Sequence, residues 1–166
     1  MADQPRRVNF FHGLVLGADD LAAEQAYHRE MRYRHNQLHG YGTVSGLEVA
    51  DEGSGVLRVG PGWAVDALGR EIVVAEPVAV PLEPHVGRRR AVHDLVIEWH
   101  EAADCAVPVP GPDDTVEPTR WVEQPVVSLV APGEAPPDAL VLARVTRRSR
   151  GRVDLDASVR RPLGAG

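Results

Sequence analysis

Two short runs hold the residues best suited to chemistry. In WAVDALGREIVV, Trp63 to Val74, the span from Asp66 to Glu71 sets an acid, a glycine, a base and a second acid side by side. Such a group could edge an active site. It could equally be a turn between two strands, with Asp66 bonding turn amides and Gly69 supplying a permissive backbone. Arg70 would then pair with Asp66 or Glu71, and an exposed pair of that kind contributes no more than about 1 kcal/mol. The turn is the favoured reading. In the second run, HNQLH, His35 and His39 stand at i,i+4 and could both reach one metal ion from a helix. Metal-assisted hydrolysis would need a third ligand from His85, His93, His100, Cys105 or an acid. HNQLH lacks the glutamate of the zincin helix HExxH. His28 lies about 10 Å along the helix axis from His35, too far to share the ion.

A further polar group, His93, Asp94, Glu98, His100, Glu101 and Asp104, surrounds one strand. Paired-carboxylate hydrolysis there would require two acids about 5–10 Å apart in a cleft, one with a raised pKa. A half-exposed strand ending in an acidic turn is the simpler expectation. Cys105 has no nucleophile motif around it, and the glycines of GADD and GPGW lack the spacing and lysine of a phosphate loop. The sequence therefore predicts no enzyme and no cofactor, with a histidine-metal hydrolase as the alternative.

These residues need elements to hold them. Leu21 to about His39 contains neither glycine nor proline, follows an N-cap candidate in Gly17-Ala18-Asp19-Asp20, and stops at Gly40 and Gly42. That predicts one helix. At 100° per residue Leu21, Gln25, His28, Met31, His35 and Leu38 share a stripe that is only half apolar. Such a stripe suits a sheet edge or a neighbouring subunit better than a deep core.

Beyond residue 40 the pattern becomes short alternating segments punctuated by glycine and proline. Strands are predicted at 43–49, 56–59, 63–66, 71–74, 78–82, 92–100, 121–130 and 139–146, with a last turn at 149–152 leading into Val153-Asp154-Leu155. The proline-bearing stretch 106–118, just after Cys105, reads as a loop. The expected fold is α+β, mainly β: one N-terminal helix packed on an antiparallel β-sandwich or barrel of about eight short strands. The expected organisation is an N-terminal arm (1–16), the helix (17–40) and a β-rich domain (41–166). Phe10, Phe11, Tyr41, Trp63, Trp99 and Trp121 are expected as large core pieces between helix and sheet. An exposed Trp63 or Trp121 would instead mark a carbohydrate- or peptide-binding surface.

Net charge is −6, which argues against general nucleic-acid binding. All 18 basic residues are arginine, as expected from a GC-rich genome. No apolar run approaches the about 18–20 residues of a membrane span. The broken N-terminal apolar patch does not read as a signal peptide. One cysteine fits a reducing compartment, so a cytoplasmic location is expected.

FFHGLVLGADDLAAEQAYHREMRYRHNQLHGYGTVSGLEV, followed by VGPGWAVDALGREIVV, resembles a pattern found in small bacterial proteins of contractile injection systems and phage-tail-like particles. It is also similar, more distantly, to the N-terminal part of the type VI secretion baseplate adaptor. The resemblance covers about residues 8–75. It implies a structural protein of a baseplate or fibre attachment, holding protein partners in an oligomer; such domains often form trimers with helices near the axis. With no fibre shaft or receptor-binding tip in the sequence, an adaptor or plug is the implied form, cytoplasmic or carried in the assembled particle. Leu21, His28, Met31, His35 and Leu38 would then form the helix contact face. Trp63, Asp66, Gly69 and Arg70 would build the hairpin of the resemblance.

Overall fold

The computed structural model describes residues 4–53, 55–83, 90–109, 115–148 and 152–164. Among these residues it has one α-helix followed by twelve strands and a single 3-10 turn at Ala157–Val159. Helix α1 (Ala18–Gln37) starts where Gly17 adopts extended backbone and donates its N–H to the Asp20 carboxylate at 2.9 Å. Asp19 and Asp20 also place negative charge in the first turn, and Arg34 and His35 lie in the last, in accord with the helix dipole.

The strands are β1 (Gly42–Gly46), β2 (Val49–Asp51), β3 (Val56–Val59), β4 (Gly62–Val65), β5 (Glu71–Val74), β6 (Val78–Pro81), β7 (Ala91–Glu98), β8 (Glu101–Pro108), β9 (Val116–Glu123), β10 (Val126–Val130), β11 (Leu140–Arg147) and β12 (Val153–Asp156). They form sheets ordered β1-β4-β5, β2-β3-β6 and β10-β7-β11-β12, plus the ribbon β8-β9, all with antiparallel ladders. The sheets do not close into a barrel. The mainly-β α+β expectation holds, with more and shorter strands than expected. The stretch 43–49 divides into β1 and β2 around Leu47, and 121–130 divides between β9 and β10 at Gln124-Pro125. Residues 149–151 of the last turn lie outside the described residues.

One aliphatic core serves the three larger sheets. Leu47, Leu57, Val59, Ala64, Ile72, Leu95, Ile97, Leu142 and Val145 are all fully buried within it. Alternation sets the faces: Leu57 and Val59 point inward and Arg58 outward, as do Ile72 and Val74 around exposed Val73. On β7 the period fails, because Asp94 to Ile97 are buried without a break.

The aromatic expectation does not hold. Phe10, Phe11 and Trp121 are each more than half exposed, Trp63 and Tyr41 are exposed too, and only Trp99 packs against the core. Leucine, isoleucine and valine fill the space between sheets without them.

Buried Asp94 is matched across the β7–β11 ladder by Arg144, which donates Nε–H to Oδ1 at 2.8 Å and Nη2–H to Oδ2 at 3.2 Å. The Arg144 hydrogen bonds hold the Asp94 carboxyl below its ordinary pKa, against the opposing effect of burial. A depressed folded pKa stabilises the fold above the unfolded value of about 3.9, and that stabilisation is lost as pH falls through the folded value. Asp94→Asn is therefore expected to lower the urea midpoint at pH 6. The gap between variant and parent should close on acidification below about pH 4.

The far end of the sequence closes β1. Thr43 donates its N–H to Arg161 at 2.8 Å and accepts from the N–H of Leu163 at 2.9 Å. The Arg160 guanidinium donates to the carbonyls of Leu47 (2.5 Å), Gly46 (3.1 Å) and Leu142 (3.2 Å). Leu47 is fully buried with φ +57°, unusual for a branched side chain, and its carbonyl is fixed by that arginine.

Candidate functional site

The Asp66–Glu71 run is the β4–β5 hairpin turn. Asp66 is fully buried, and its Oδ1 accepts from the N–H groups of Leu68 and Arg70, both at 2.9 Å. Its Oδ2 accepts from Arg70 Nε at 2.6 Å. Arg70 reaches on to Asp138, in the β10–β11 connection, at 2.5 Å, and its guanidinium stacks 4.8 Å from the Trp99 ring centroid. Burial opposes the Arg70 charge, but the bonds to Asp66 and Asp138 outweigh it and raise the pKa further. The expectation of an exposed, weak pair thus misjudged the site. Arg70 pairs with Asp66 but not with Glu71, which faces Arg32 of α1 at 3.5 Å.

Trp99 is the hub of this joint. Its second cation contact is Arg29 of α1, 5.9 Å from the ring centroid, and Arg29 also holds Glu101 at the base of β8, Nη2 to Oε2 at 3.0 Å. Trp99 Nε1 is buried with no partner among the described residues, so the ring is held by its faces. Helix, turn, β7 and the ribbon base therefore meet on one indole. The charges here are mutually satisfied: Asp66 and Asp138 are held by Arg70, Glu71 by Arg32 and Glu101 by Arg29.

Helix α1 has no buried residue. It is held to the sheets by Arg29, Arg32, Asn36 and Gln37; the last two donate to the turn carbonyls of Gly69 and Leu68, each at 2.9 Å. Gly69 has φ +82°, and a Cβ there would lie 2.8 Å from the Tyr33 carbonyl carbon, so the helix backbone rests on the turn. Residues Leu21, His28, Met31, His35 and Leu38 lie off this docking side. Leu21 is 53% and Leu38 81% exposed, His28 and His35 are exposed, and Met31 is half-buried. Ahead of the helix the chain doubles back, with Val8 N–H donating to Glu24 at 3.4 Å, and Phe10, Phe11 and Val15 stay exposed.

The stretch read as a proline loop is instead the β8–β9 ribbon, of which residues 110–114 lie outside the described part. Its residues are nearly all exposed, including Trp121 at 63% and Val116 at 62%. Its joint with α1 bounds a cleft of about 670 Å³ lined by Gln25, Arg29, Glu101, Arg120 and Trp121 among others. Neither AADCAVP nor VEPTRWVE alternates in polarity, and both strands are exposed on both faces, so only their pairing with each other marks them as strands. Cys105 is exposed at φ +53°, where the ribbon ladder skips one pair without changing register.

His35 and His39 come together, Nε2 to Nε2 at 3.3 Å. His28 turns to Glu24, Nε2 to Oε1 at 3.0 Å. Among the described residues no group of three or more His, Cys, Asp or Glu is arranged to hold a metal. His85 lies outside the described residues. Of the acids around β7, Asp94 is committed to Arg144 and Glu101 to Arg29. No helix among the described residues is long and apolar enough to cross a membrane.

No protein-family model matches the chain, and no curated protein matches it. Solved structures do share its fold. A chain of the type VI secretion system TssK-TssF-TssG baseplate subcomplex, seen by cryo-electron microscopy, superposes with a TM-score of 0.60 at 12% identity, over 93% of this chain and 60% of that one. A chain of the baseplate complex from the type VI secretion system gives 0.58 at 12% identity, over 93% of this chain and 58% of its own. The crystal structure of TssK gives 0.54 at 12% identity, over 92% and 41%. This chain thus spans between two-fifths and three-fifths of the length of those it matches.

Proposed function

We propose that the chain is a non-enzymatic structural component of a baseplate-like assembly, an adaptor or attachment piece of a phage-tail-like contractile particle. The observation that carries this reading is the fold shared over 93% of the chain with a baseplate subunit. In this reading it assembles with itself and with protein partners of the particle. The free side of α1 (Leu21, His28, Met31, His35 and Leu38) is its contact face, and the Asp66–Arg70 turn seats the helix that presents it. No nucleic acid, membrane insertion or cofactor enters the role. Light scattering on the purified chain, with co-purification against sheath and baseplate proteins, tests it. A strictly monomeric chain that never co-purifies with either would overturn it.

A second reading rests on Trp121, which stands exposed beside a cleft. Aromatic platforms of this kind bind peptide segments or sugars. Trp121→Ala is expected to leave the unfolding free energy read from urea titration within about 0.5 kcal/mol of the parent, as for a surface position. If partner capture falls with it, the ribbon is part of the contact surface; undiminished capture confines the surface to α1.

A further inference from the structure

We infer that His35 and His39 form a two-imidazole site for a zinc-class divalent ion, and that a second copy of the chain completes it. The geometry comes first. Zinc bonds imidazole nitrogen at about 2.0–2.1 Å, so neighbouring nitrogens of a tetrahedral site lie about 3.3–3.4 Å apart. The two Nε2 atoms stand 3.3 Å apart, on rings whose planes cross at 73°. His35 lies in the last turn of α1 and His39 in the turn that follows, where its N–H donates to the Asn36 carbonyl at 2.9 Å, so the backbone sets the pair close together. Binding needs both imidazoles neutral with their protons on Nδ1, leaving both Nε2 lone pairs for the metal.

The surroundings permit it. Both histidines are exposed at the helix C-terminus, where the dipole favours a cation. The adjacent positive charge, Arg34, is engaged by Glu30 one turn earlier. Asn36 and Gln37, which dock the helix, point to the β4–β5 turn, so the histidine pair flanks the docked side and stays open.

A second copy is the occupant because the chain supplies only half a site. Structural zinc takes four protein ligands, and among the described residues none makes a third here. Two copies related by a two-fold axis bring four imidazoles, a full tetrahedral set, since such an axis presents the same patch from each side. Leu38, 81% exposed between the two histidines, would be covered by the same contact.

The test is zinc chloride titrated into tag-free full chain by calorimetry, with light scattering on the same samples. Expected are one zinc per two chains and a mass twice that measured in EDTA, reversed when chelator is added. His35→Ala and His39→Ala should each weaken binding at least about tenfold, the loss typical when even an outer-shell partner is removed. His12→Ala, at an exposed histidine ahead of the helix, should bind as the parent does. No uptake of micromolar zinc, or uptake undiminished in both His35→Ala and His39→Ala, overturns the site. One zinc per chain at unchanged mass overturns the role of the second copy. Because mass is referred to the EDTA state, metal-free assembly of the kind proposed above is scored separately.

Discussion

Asp66→Ala is expected to lower stability by about 3 kcal/mol, the range for removing one partner of a buried ion pair. The carboxylate is fully buried, so its loss opens a small polar void in place of a solvated stub. Two turn amides, Leu68 and Arg70, lose their acceptor, and each unsatisfied donor costs more than its hydrogen bond was worth. Arg70 keeps Asp138 and the Trp99 face but loses its closest anion. For a domain of this size the loss corresponds to a melting temperature lower by about 6–12 °C. A fall in the urea midpoint at unchanged m-value is the measurement. Asp66→Asn separates the parts: it retains an acceptor for the amides and removes the charge, so a cost near half that of alanine is expected. An alanine variant as stable as the parent would show that the turn stands without its carboxylate.

Gly69→Ala should act on the helix more than on the core. At φ +82° a side chain costs about 1–3 kcal/mol of backbone strain. The added methyl would also collide with the Tyr33 backbone, where no rotamer change gives relief. The least costly response is for α1 to lift, surrendering the Asn36 and Gln37 bonds to the turn. With no buried side chain to retain it, a lifted helix depends on its own propensity, and an isolated helix of this length is marginal. Hydrogen exchange is expected to accelerate across Ala18–Gln37 while the β7 and β11 amides remain protected. Gly133→Ala is the control: it has nearly the same dihedral, φ +83°, and open space around it. Equal helix protection in the two variants would show that strain, not contact with Tyr33, decides the outcome.

The parts of the fold legible in the sequence were those written in local chemistry. An uninterrupted run of helix formers between Gly17 and Gly40 gave α1, and Asp66 to Gly69 gave the hairpin turn, because caps and turns depend on neighbours in sequence. What failed was decided at a distance. Asp138 lies 68 positions from Arg70, and no spacing rule links them. The prolines of the ribbon read as breakers, yet Pro108 and Pro118 sit in a two-stranded element with open edges, where a missing N–H is tolerated. The aromatic residues were assigned inward by size. In the fold, branched aliphatics on alternating strands already fill the core, leaving Trp121 and the phenylalanines outside. For the candidate site, residue types gave the turn and one of the two pairings offered for Arg70, but its burial, its tie to Asp138 and its hub at Trp99 are tertiary facts.

The closure of β1 by residues 160–163 also sets an order of events. The Arg160 contacts with Leu47 and Gly46 span 113 and 114 positions, and the Thr43 ladder to Arg161 and Leu163 is comparably long. Loops of that length carry a large closure entropy that nothing repays until both ends are in place. On the ribosome the helix and the β4–β5 hairpin can form early, but the Leu47 turn has no clamp until Arg160 emerges. During that interval one edge of the β1-β4-β5 sheet stands open to other nascent chains. The arginine that fixes the Leu47, Gly46 and Leu142 carbonyls in the finished fold is thus also the latch that ends this exposure during synthesis.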